Sequence, residues 1–421
     1  MPKTVGVLPE RIPFIKPRLV VKEGDAVAVG DVLYIDKHND HLRFLSPGGG
    51  HVAAIHFGPR RIIQEIVIRL AGSDEAFKAL AAPLSPEEVA RCSRNEMVDR
   101  LMEGGVWPFL RALPFRAIAD PATVPPAIYV GLGAREPFQV PPRRYLKDHK
   151  ALFVLGLKAL HCLCPTVYVH ADPSDRSFWE NHRDLITHKV RGRYPADDAG
   201  VVLFNIRRSA EENSAWFIDG QDVLLMAHML QTGRYPTERL YAVGGTGAAH
   251  PRYVTSRLGA PLKDLVGAVV CPTPRYTVGG VLRGYRGDPQ GHMGLYETAV
   301  TVLPEPEAAD FLTLFRPGTH KPTHSRTFFS ALRRTPLPMT TNVNGGHRAC
   351  IACGYCAEVC PVDIWPQMTF KSILAEEVEE YLAHGLLDCV ECGLCSYVCP
   401  SKIELASTLK ATKHAYRKEQ A

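Results

Sequence analysis

The sequence predicts an α+β protein of several domains, and three of its features support this fold class. A chain of 421 residues, 46% apolar and 22% charged, is long enough to form two or three separate cores. Short apolar stretches separated by Gly-Asp and Pro-Gly turns occupy residues 17–70, and helical and strand-like runs alternate between residues 125 and 265. Near the C-terminus, one cysteine pattern occurs twice.

Charge and hydropathy exclude several classes of protein. The 49 basic and 44 acidic residues give a net charge of +5, which is too balanced to indicate a nucleic-acid-binding surface. No stretch approaches the roughly 20 apolar residues of a membrane span, and the N-terminus lacks the apolar core of a signal peptide. We therefore expect a cytoplasmic chain with no transmembrane segment of its own and with its twelve cysteines reduced.

The N-terminal residues 1–75 are predicted to form a small β-barrel or sandwich, because apolar residues alternate along "VKEGDAVAVGDVLYIDK" and "FLSPGGGHVAAIHFG". This stretch resembles the biotinyl/lipoyl-type hammerhead fold. Lys37 falls near the hairpin where that fold carries its modified lysine, but the following "KHND" does not match a carrier context. We expect Lys37 to be an unmodified surface lysine and the domain to serve in docking.

Residues 76–265 are predicted to form an α/β domain, since helical runs lie between short β runs. The Gly-rich "GGTGAAHP" follows a predicted strand at Leu240–Val243. It fits neither common phosphate-binding pattern, because His250 stands where a third glycine is needed and no Lys-Ser/Thr follows. We predict a turn there.

Residues 266–335 are predicted to form a small β-rich domain followed by a linker. "GAVVCPTPRYTVGGVLRGY" and "LYETAVTVLPE" have the strand and turn residues, and the Pro- and Gly-rich stretch at 315–346 has the composition of a connector. His320 and His324 lie in this connector and are predicted to be polar linker residues. Residues 336–421 then form the cysteine-rich C-terminal domain.

The two cysteine runs follow C-x2-C-x2-C-x3-C-P, which is the bacterial ferredoxin pattern for two [4Fe–4S] clusters. The cysteines are Cys350, Cys353, Cys356 and Cys360 in the first run, and Cys389, Cys392, Cys395 and Cys399 in the second. A structural zinc site is the alternative, but zinc sites use paired C-x2-C knuckles without a third cysteine and a Cys-Pro.

The fourth cysteine of each run ligates the other cluster in two-cluster ferredoxins. We therefore assign Cys350, Cys353, Cys356 and Cys399 to cluster 1. Cluster 2 receives Cys389, Cys392, Cys395 and Cys360.

Between the runs, apolar residues at helical spacing predict one helix with Thr369 as its N-cap and Gly385 as its C-cap. This indicates an α-helical dicluster ferredoxin domain, a type that by analogy serves inside larger redox complexes. The remaining cysteines are expected to be buried structural thiols. They are Cys92, Cys162, Cys164 and Cys271.

The order of these parts resembles that of the NqrA family, whose members are one subunit of the sodium-translocating NADH:quinone reductase. It also resembles that of the C subunit of Rnf complexes, which is a relative of this family. The resemblance covers nearly the whole chain and is carried by several stretches in a fixed order. They are "VKEGDAVAVGDVL", "SPGGGHVAAIHFGPRR", "GGVWPFLRALPF", "DGQDVLLMAHMLQTGRYPTERLYAVGG", "HPRYVTSRLGAPL" and "FRPGTHKPTHSRTFFS". It implies an SLBB/β-grasp-like fold for the small β-rich domain and a complex I 51-kDa-like fold with a degenerate nucleotide site for the α/β domain.

The chain departs from each relative in one respect. NqrA proteins usually lack most of the cysteines, whereas all eight are present here, as in Rnf C subunits. Rnf C subunits carry a Gly-rich loop over flavin and NADH, whereas here "GGVWPFLRALPF" places Trp107, Phe109 and Phe115 at that point. Because bulky rings fill the space where a backbone approaches a phosphate, FMN and NAD are not expected on this chain.

The sequence thus indicates a peripheral electron-transfer subunit of an Nqr/Rnf-like oxidoreductase. The resemblance implies partner membrane subunits, a position on the cytoplasmic face of the inner membrane, and quinone as a ligand for which no residue is identified. No catalytic residue is assigned. Two alternatives stay open: an Rnf C-type dehydrogenase subunit that binds FMN and NADH, and a scaffold subunit whose clusters are structural.

Overall fold

The computed structural model describes residues 2–72, 75–133, 136–305, 317–322, 324 and 328–420. The chain divides into two compact units. The first unit comprises 1–242, 253–265 and 288–299, and the second comprises 243–252, 266–287 and 300–421.

The N-terminal part of the first unit consists of two antiparallel sheets, as the alternation of apolar residues predicts. The strands are β1 (Thr4–Val7), β2 (Pro17–Leu19), β3 (Ala26–Val27), β4 (Val32–Asp36), β5 (Asn39–Leu45), β6 (Gly50–Phe57) and β7 (Ile63–Leu70). One sheet has the order β1-β7-β6-β3 and the other β2-β4-β5. Lys37 lies exposed in the turn between β4 and β5, where the sequence predicts a surface lysine.

The rest of the first unit contains an α/β layer. Its strands are β8 (Arg111–Ala112), β9 (Ala117–Ile118), β10 (Ile128–Gly131), β11 (Val167–Ala171), β12 (His188–Lys189) and β13 (Trp216–Asp219). They form a sheet of order β12-β11-β10-β13-β8-β9, in which β10 runs parallel to both β11 and β13. The helices are α1 (Pro86–Arg91), α2 (Arg94–Glu103), α3 (Pro142–Tyr145), α4 (Lys150–Leu163), α5 (Arg176–His182), α6 (Ala199–Ile206) and α7 (Gly220–Thr232).

Helices α4 and α7 pack closely because α4 carries a glycine at their contact. A Cβ on Gly156 would lie 2.4 Å from a side-chain carbon of Val223 and 2.9 Å from its carbonyl oxygen. Any larger residue would push the two helices apart, so Gly156 sets their separation.

The segment that carries the bulky rings lies in the core of the first unit. Trp107 and Phe109 are buried, and the indole N–H of Trp107 donates to the carbonyl of Ala119 at 2.8 Å. The Trp107 ring meets Trp216 edge to face, with 5.6 Å between ring centroids. This loop is therefore held by packing and leaves its aromatic rings in the interior.

Two further strands and a helix follow along the chain, namely β14 (Glu238–Gly244), β15 (Arg252–Arg257) and α8 (Leu262–Val266). The Gly-rich residues 244–251 form the predicted turn. Within the second unit, the amide of Gly247 donates to the carbonyl of Val302 at 2.9 Å, and its carbonyl accepts from Val270 at 2.9 Å. The amide and the carbonyl of Gly247 therefore both form hydrogen bonds within this unit.

The predicted β-rich segment contains β16 (Pro274–Val278), β17 (Tyr285–Gly287) and β18 (Ala299–Pro304). Strand β16 pairs antiparallel with both β17 and β18. Part of the predicted connector at 315–346 lies outside the described residues. Of its two histidines, His320 shares a hydrogen bond with Thr319 at 3.0 Å, and His324 meets the Tyr355 ring edge to face.

The C-terminal part of the second unit is helical. Its helices are α9 (Tyr355–Glu358), α10 (Pro366–Leu374), α11 (Val378–Ala383), α12 (Leu394–Val398) and α13 (Leu405–Gln420). Short 3-10 helices also occur in the two units, at Pro9–Arg11, Pro59–Arg61, Trp107–Phe109, Ala210–Ser214, Phe329–Leu332 and Leu386–Asp388. Among the helices that the structure describes, none combines the length and the apolar character needed to cross a bilayer.

The prediction of one continuous helix between the cysteine runs is wrong. The segment forms α10 and α11, and the chain breaks at Glu376, whose φ of 59° interrupts the helical hydrogen bonding. Thr369 is not the N-cap, because α10 begins at Pro366 with Trp365 as its cap residue. Proline suits the first helical position because the amide it lacks has no partner there.

Candidate iron–sulfur site

The two cysteine runs repeat in backbone conformation as well as in sequence. Residues at matching positions adopt the left-handed conformation in both runs: Ala352 and Glu391 (φ 55° and 56°), Gly354 and Gly393 (80° and 81°), and Asp363 and Lys402 (50° and 55°). Helices α9 and α12 begin at matching positions too. Residues in this conformation turn successive amide groups toward one side, which suits binding of a negatively charged group.

A backbone pairing joins the start of the first run to the end of the second. The amide of Arg348 donates to the carbonyl of Ser401 at 2.9 Å, and the Ser401 hydroxyl donates to the carbonyl of Ala349 at 2.8 Å. The Arg348 guanidinium adds a bond to the carbonyl of Pro400 at 3.0 Å. We name these contacts the Arg348–Ser401 clamp; they place the last cysteine of one run beside the first of the other.

Four thiols line one pocket beside this clamp, and we call it the first site. They are Cys350, Cys353, Cys356 and Cys399. The pocket encloses about 410 Å³, part of it open to solvent. The amide of Ala352 donates to the sulfur of Cys350 at 3.4 Å, and the Cys356 thiol lies 3.0 Å from the side-chain oxygen of Gln367.

The other four cysteines lie near one another in a second group, which we call the second site. They are Cys360, Cys389, Cys392 and Cys395. Burial raises the pKa of Cys392 to about 11; the Arg283 guanidinium opposes this rise, and Cys389 and Cys360 add to it. Burial also raises the pKa of Cys360, whereas nearby backbone amides, among them that of Val362, lower it.

The two sites differ in their access to solvent. Cys350 and Cys353 of the first site are exposed, as is Ile351 between them, with 67% of its surface accessible. Cys389 and Cys392 of the second site are buried. The first site therefore has two thiols at the protein surface, whereas the four thiols of the second site are buried or half-buried.

The donor sets fit iron–sulfur clusters better than single ions. In a structural zinc site, four donors lie about 2.0–2.3 Å from one ion. Four thiols that surround a space instead suit a [4Fe–4S] cluster, in which each thiolate binds a different iron atom.

The cysteines outside the runs are less uniformly buried than the sequence predicts. Cys164 is buried, and its thiol lies 3.3 Å from the carbonyl of Pro125. Cys92, Cys162 and Cys271 are half-buried, so the prediction of buried thiols is wrong for these three. Cys162 still has a local partner, since its sulfur lies 3.2 Å from the carbonyl of Val89.

Sequence analysis missed Lys413, which lies beside the second site. It is only 1% exposed, and its ammonium donates to the carbonyl of Cys389 at 2.6 Å. The attraction of this ammonium opposes the rise in the pKa of Cys389 that burial causes. A signal was present in the sequence, because Lys413 follows Leu405 and Leu409 at four-residue spacing along the buried face of α13.

Three family models match the chain. They describe the NqrA N-terminal barrel-sandwich hybrid domain at residues 1–71, the NqrA second alpha/beta domain at 92–235, and a 4Fe-4S dicluster domain at 346–403. The third match contains all eight cysteines of the two runs. An N-terminal barrel-sandwich domain, an α/β domain and a C-terminal dicluster region are thus present.

Curated relatives match over most of the chain. The A subunit of the Na(+)-translocating NADH-quinone reductase of Neisseria meningitidis serogroup B is 31% identical over 389 residues, which is 91% of this chain and 86% of that protein. The chain belongs to the NqrA family. The corresponding A subunit of Histophilus somni, another family member, is 29% identical over 92% of this chain and 86% of its own length.

Solved structures match more distantly than these family members. The NAD+-reducing [NiFe]-hydrogenase in the H2-reduced state gives a TM-score of 0.38 at 12% identity, over 53% of this chain and 49% of the hydrogenase chain. The air-oxidized state of that hydrogenase gives a TM-score of 0.39 at 11% identity, over 52% and 49% of the two chains.

The matching glycines of the two runs provide a test of the second site. We expect Gly393→Ala to be more damaging than Gly354→Ala. Both residues are left-handed, so alanine costs about 1 kcal/mol at either position. At Gly393 a Cβ would also lie 2.3 Å from the carbonyl oxygen of Leu282, whereas no heavy atom lies within 4 Å at Gly354.

The measurement is the iron content and thermal unfolding midpoint of both variants, purified anaerobically beside the unchanged protein. Gly393→Ala should lose up to half of the iron and unfold at a lower temperature. Gly354→Ala is the matched control and should retain nearly all of its iron. Equal losses in the two variants would contradict the placement of Leu282 against Gly393.

Proposed function

We propose that this chain is a peripheral electron-transfer subunit of a membrane-bound, Na+-transporting type of NADH:quinone oxidoreductase, at the cytoplasmic face of the inner membrane. The observation that carries the proposal is the pair of four-thiol sites in a chain of the NqrA family. The relatives are named as subunits of a reductase, so membrane subunits of an Nqr/Rnf-like complex are the proposed partners.

The proposed ligand sets cross between the two runs. Cys350, Cys353, Cys356 and Cys399 hold cluster 1 at the first site, and Cys389, Cys392, Cys395 and Cys360 hold cluster 2 at the second. A bound [4Fe–4S] cluster supplies reversible one-electron transfer. The Arg348–Ser401 clamp supports this assignment because it positions a cysteine of the second run at the first site.

The difference in exposure suggests a division of roles between the sites. Electron transfer between proteins requires that one centre lie close to the surface, which the exposed Cys350 and Cys353 provide. None of the four thiols of the second site is exposed, which limits the access of water and of oxidants to its thiolates. We assign the exchange of electrons with a partner subunit to the first site.

The domain boundaries and finer fold names are part of the proposal. They are a biotinyl/lipoyl-like hammerhead at 1–75, a complex I 51-kDa-like α/β domain at 76–265, an SLBB/β-grasp-like domain with linker at 266–335, and a helical dicluster ferredoxin domain at 336–421. The barrel-sandwich, α/β and dicluster matches support this order.

The packing of the α/β domain supports a chain that carries neither FMN nor NADH. A nucleotide phosphate needs a backbone loop that can approach closely and offer its amides. Here Trp107 and Phe109 are fully buried in the corresponding segment and bring aromatic rings instead. The relatives are subunits of a quinone reductase, so quinone is proposed as the acceptor of the complex, with no residue of this chain assigned to it.

The first prediction of this proposal concerns the crossed ligands. Protein reconstituted anaerobically should bind about eight iron atoms and eight sulfides, because two cubanes each contain four. Cys399→Ala should damage cluster 1, and Cys360→Ala should damage cluster 2. Iron analysis together with EPR spectra of the reduced variants distinguishes the two losses.

Cys164→Ala is the control for these variants, since this buried thiol lies outside both sites and should leave the iron content unchanged. Recovery of zinc in place of iron would refute the clusters. Loss of cluster 2 alone in Cys399→Ala would refute the crossing.

The second prediction concerns nucleotides. The chain purified without partners should contain no FMN and should not reduce its clusters with NADH, because bulky residues, Trp107 and Phe109 among them, stand where a Gly-rich loop is needed. Flavin fluorescence after acid release measures the FMN content. The visible absorption on adding NADH measures reduction of the clusters, with dithionite as the positive control. Stoichiometric FMN, or bleaching by NADH, would favour the Rnf C-type alternative. Clusters that dithionite cannot reduce would favour the scaffold.

A further inference from the structure

A fully buried lysine lies against the second site. Lys413 is in the middle of α13, with its side chain 1% exposed. Its ammonium donates to the carbonyl of Cys389, the first cysteine of the second run, at 2.6 Å. Lysine is rarely buried to this degree, because removing an ammonium from water costs free energy.

A carboxylate lies close to this ammonium. The Glu391 side chain is 8% exposed, and its oxygen lies 4.0 Å from the Lys413 nitrogen, beyond hydrogen-bond distance. The same carboxylate lies 3.4 Å from Lys410 and 3.9 Å from His414. Three basic side chains therefore lie within 4.0 Å of the Glu391 carboxylate, and the Lys413 ammonium donates to the backbone of Cys389.

A second cation approaches the same site from the β-rich segment. Arg283 lies in the turn between β16 and β17, close enough to influence Cys392 electrostatically. The adjacent Leu282 carbonyl approaches Gly393, the residue after Cys392. Two elements of the second unit, α13 and this turn, thus each bring a basic side chain to the second site.

We propose, resting on the proposed function, that Lys413 raises the reduction potential of cluster 2 by holding a buried positive charge beside it. A cluster with four thiolate ligands becomes more negative by one charge when it accepts one electron. A fixed positive charge nearby stabilises that reduced form more than the oxidised form, and burial limits screening by solvent and salt. Glu391 has the opposite effect on the same cluster.

The test is a redox titration of the purified full-length protein, with dithionite as reductant, mediators, and EPR detection of each cluster. Lys413→Met keeps an unbranched side chain, one heavy atom shorter, and removes its charge. We expect one cluster to become at least tenfold harder to reduce, which is a decrease of about 59 mV in midpoint potential for one electron. The other cluster should keep its potential.

Three variants control the result. Lys410→Met removes the positive charge of another lysine near the Glu391 carboxylate. The Lys410 side chain is 51% accessible, so this variant should shift the potential far less. Glu391→Gln should raise the potential of the cluster that Lys413→Met lowers. Lys413→Arg retains the charge and should retain the potential. A purely structural role of Lys413 would not give shifts of opposite sign.

The outcomes separate this inference from the proposed function. Unchanged potentials in an iron-replete Lys413→Met protein would overturn the inference and leave the two clusters in place. If Lys413→Met loses iron, the inference is tested with Glu391→Gln instead. An unchanged or lower midpoint potential of cluster 2 in Glu391→Gln would overturn the inference. Absence of iron from the unchanged protein would instead overturn the proposed function itself.

Discussion

The C-terminal part of this molecule depends on the pairing of Arg348 and Ala349 with Ser401. These residues flank the two cysteine runs at opposite ends, so their hydrogen bonds close a long loop. The first site exists only because of that closure, since three of its thiols come from one run and Cys399 comes from the other. Loop closure costs conformational entropy, which the apolar contacts around Ile403 and Leu405 help to offset.

The repeated backbone conformation explains how two sites arise from one short pattern. Left-handed residues recur at matching positions of the two runs, and each run continues into a short helix. The surroundings of the runs differ, however. The first site has two exposed thiols, whereas the thiols of the second site are buried or half-buried and have the buried Lys413 beside them. A pair of sites with the same ligand geometry and different electrostatic surroundings suits a relay, because the surroundings of a cluster set its potential.

The sequence predicted those parts of the molecule whose physics is local. The cysteine spacing, the alternation of β6 and β7, and the hairpin at Lys37 are set by neighbours along the chain, and the structure contains them. The helix break at Glu376 and the start of α10 at Pro366 were missed, because the apolar periodicity continues across both. Strand β13 was also missed, since its identity depends on pairing with β10.

The electrostatics of the candidate site was the least predictable part. The C-terminal stretch "LKATKHAYRK" is basic, yet Lys413 is buried while Lys410 on the same helix is exposed. Which lysine turns inward depends on how α13 packs against the second run, and that contact is tertiary. Arg283 approaches Cys392 from a turn distant in sequence, so only the folded chain reveals it.

The proposed function depends on two four-thiol sites whose ligands cross between the runs. Diffraction from anaerobically grown crystals, with anomalous data collected at the iron absorption edge, tests this most directly. We expect two separate groups of four iron atoms, one of them bound by Cys399 together with three cysteines of the first run. A single metal ion, or two groups each bound by the four cysteines of one run, would contradict it.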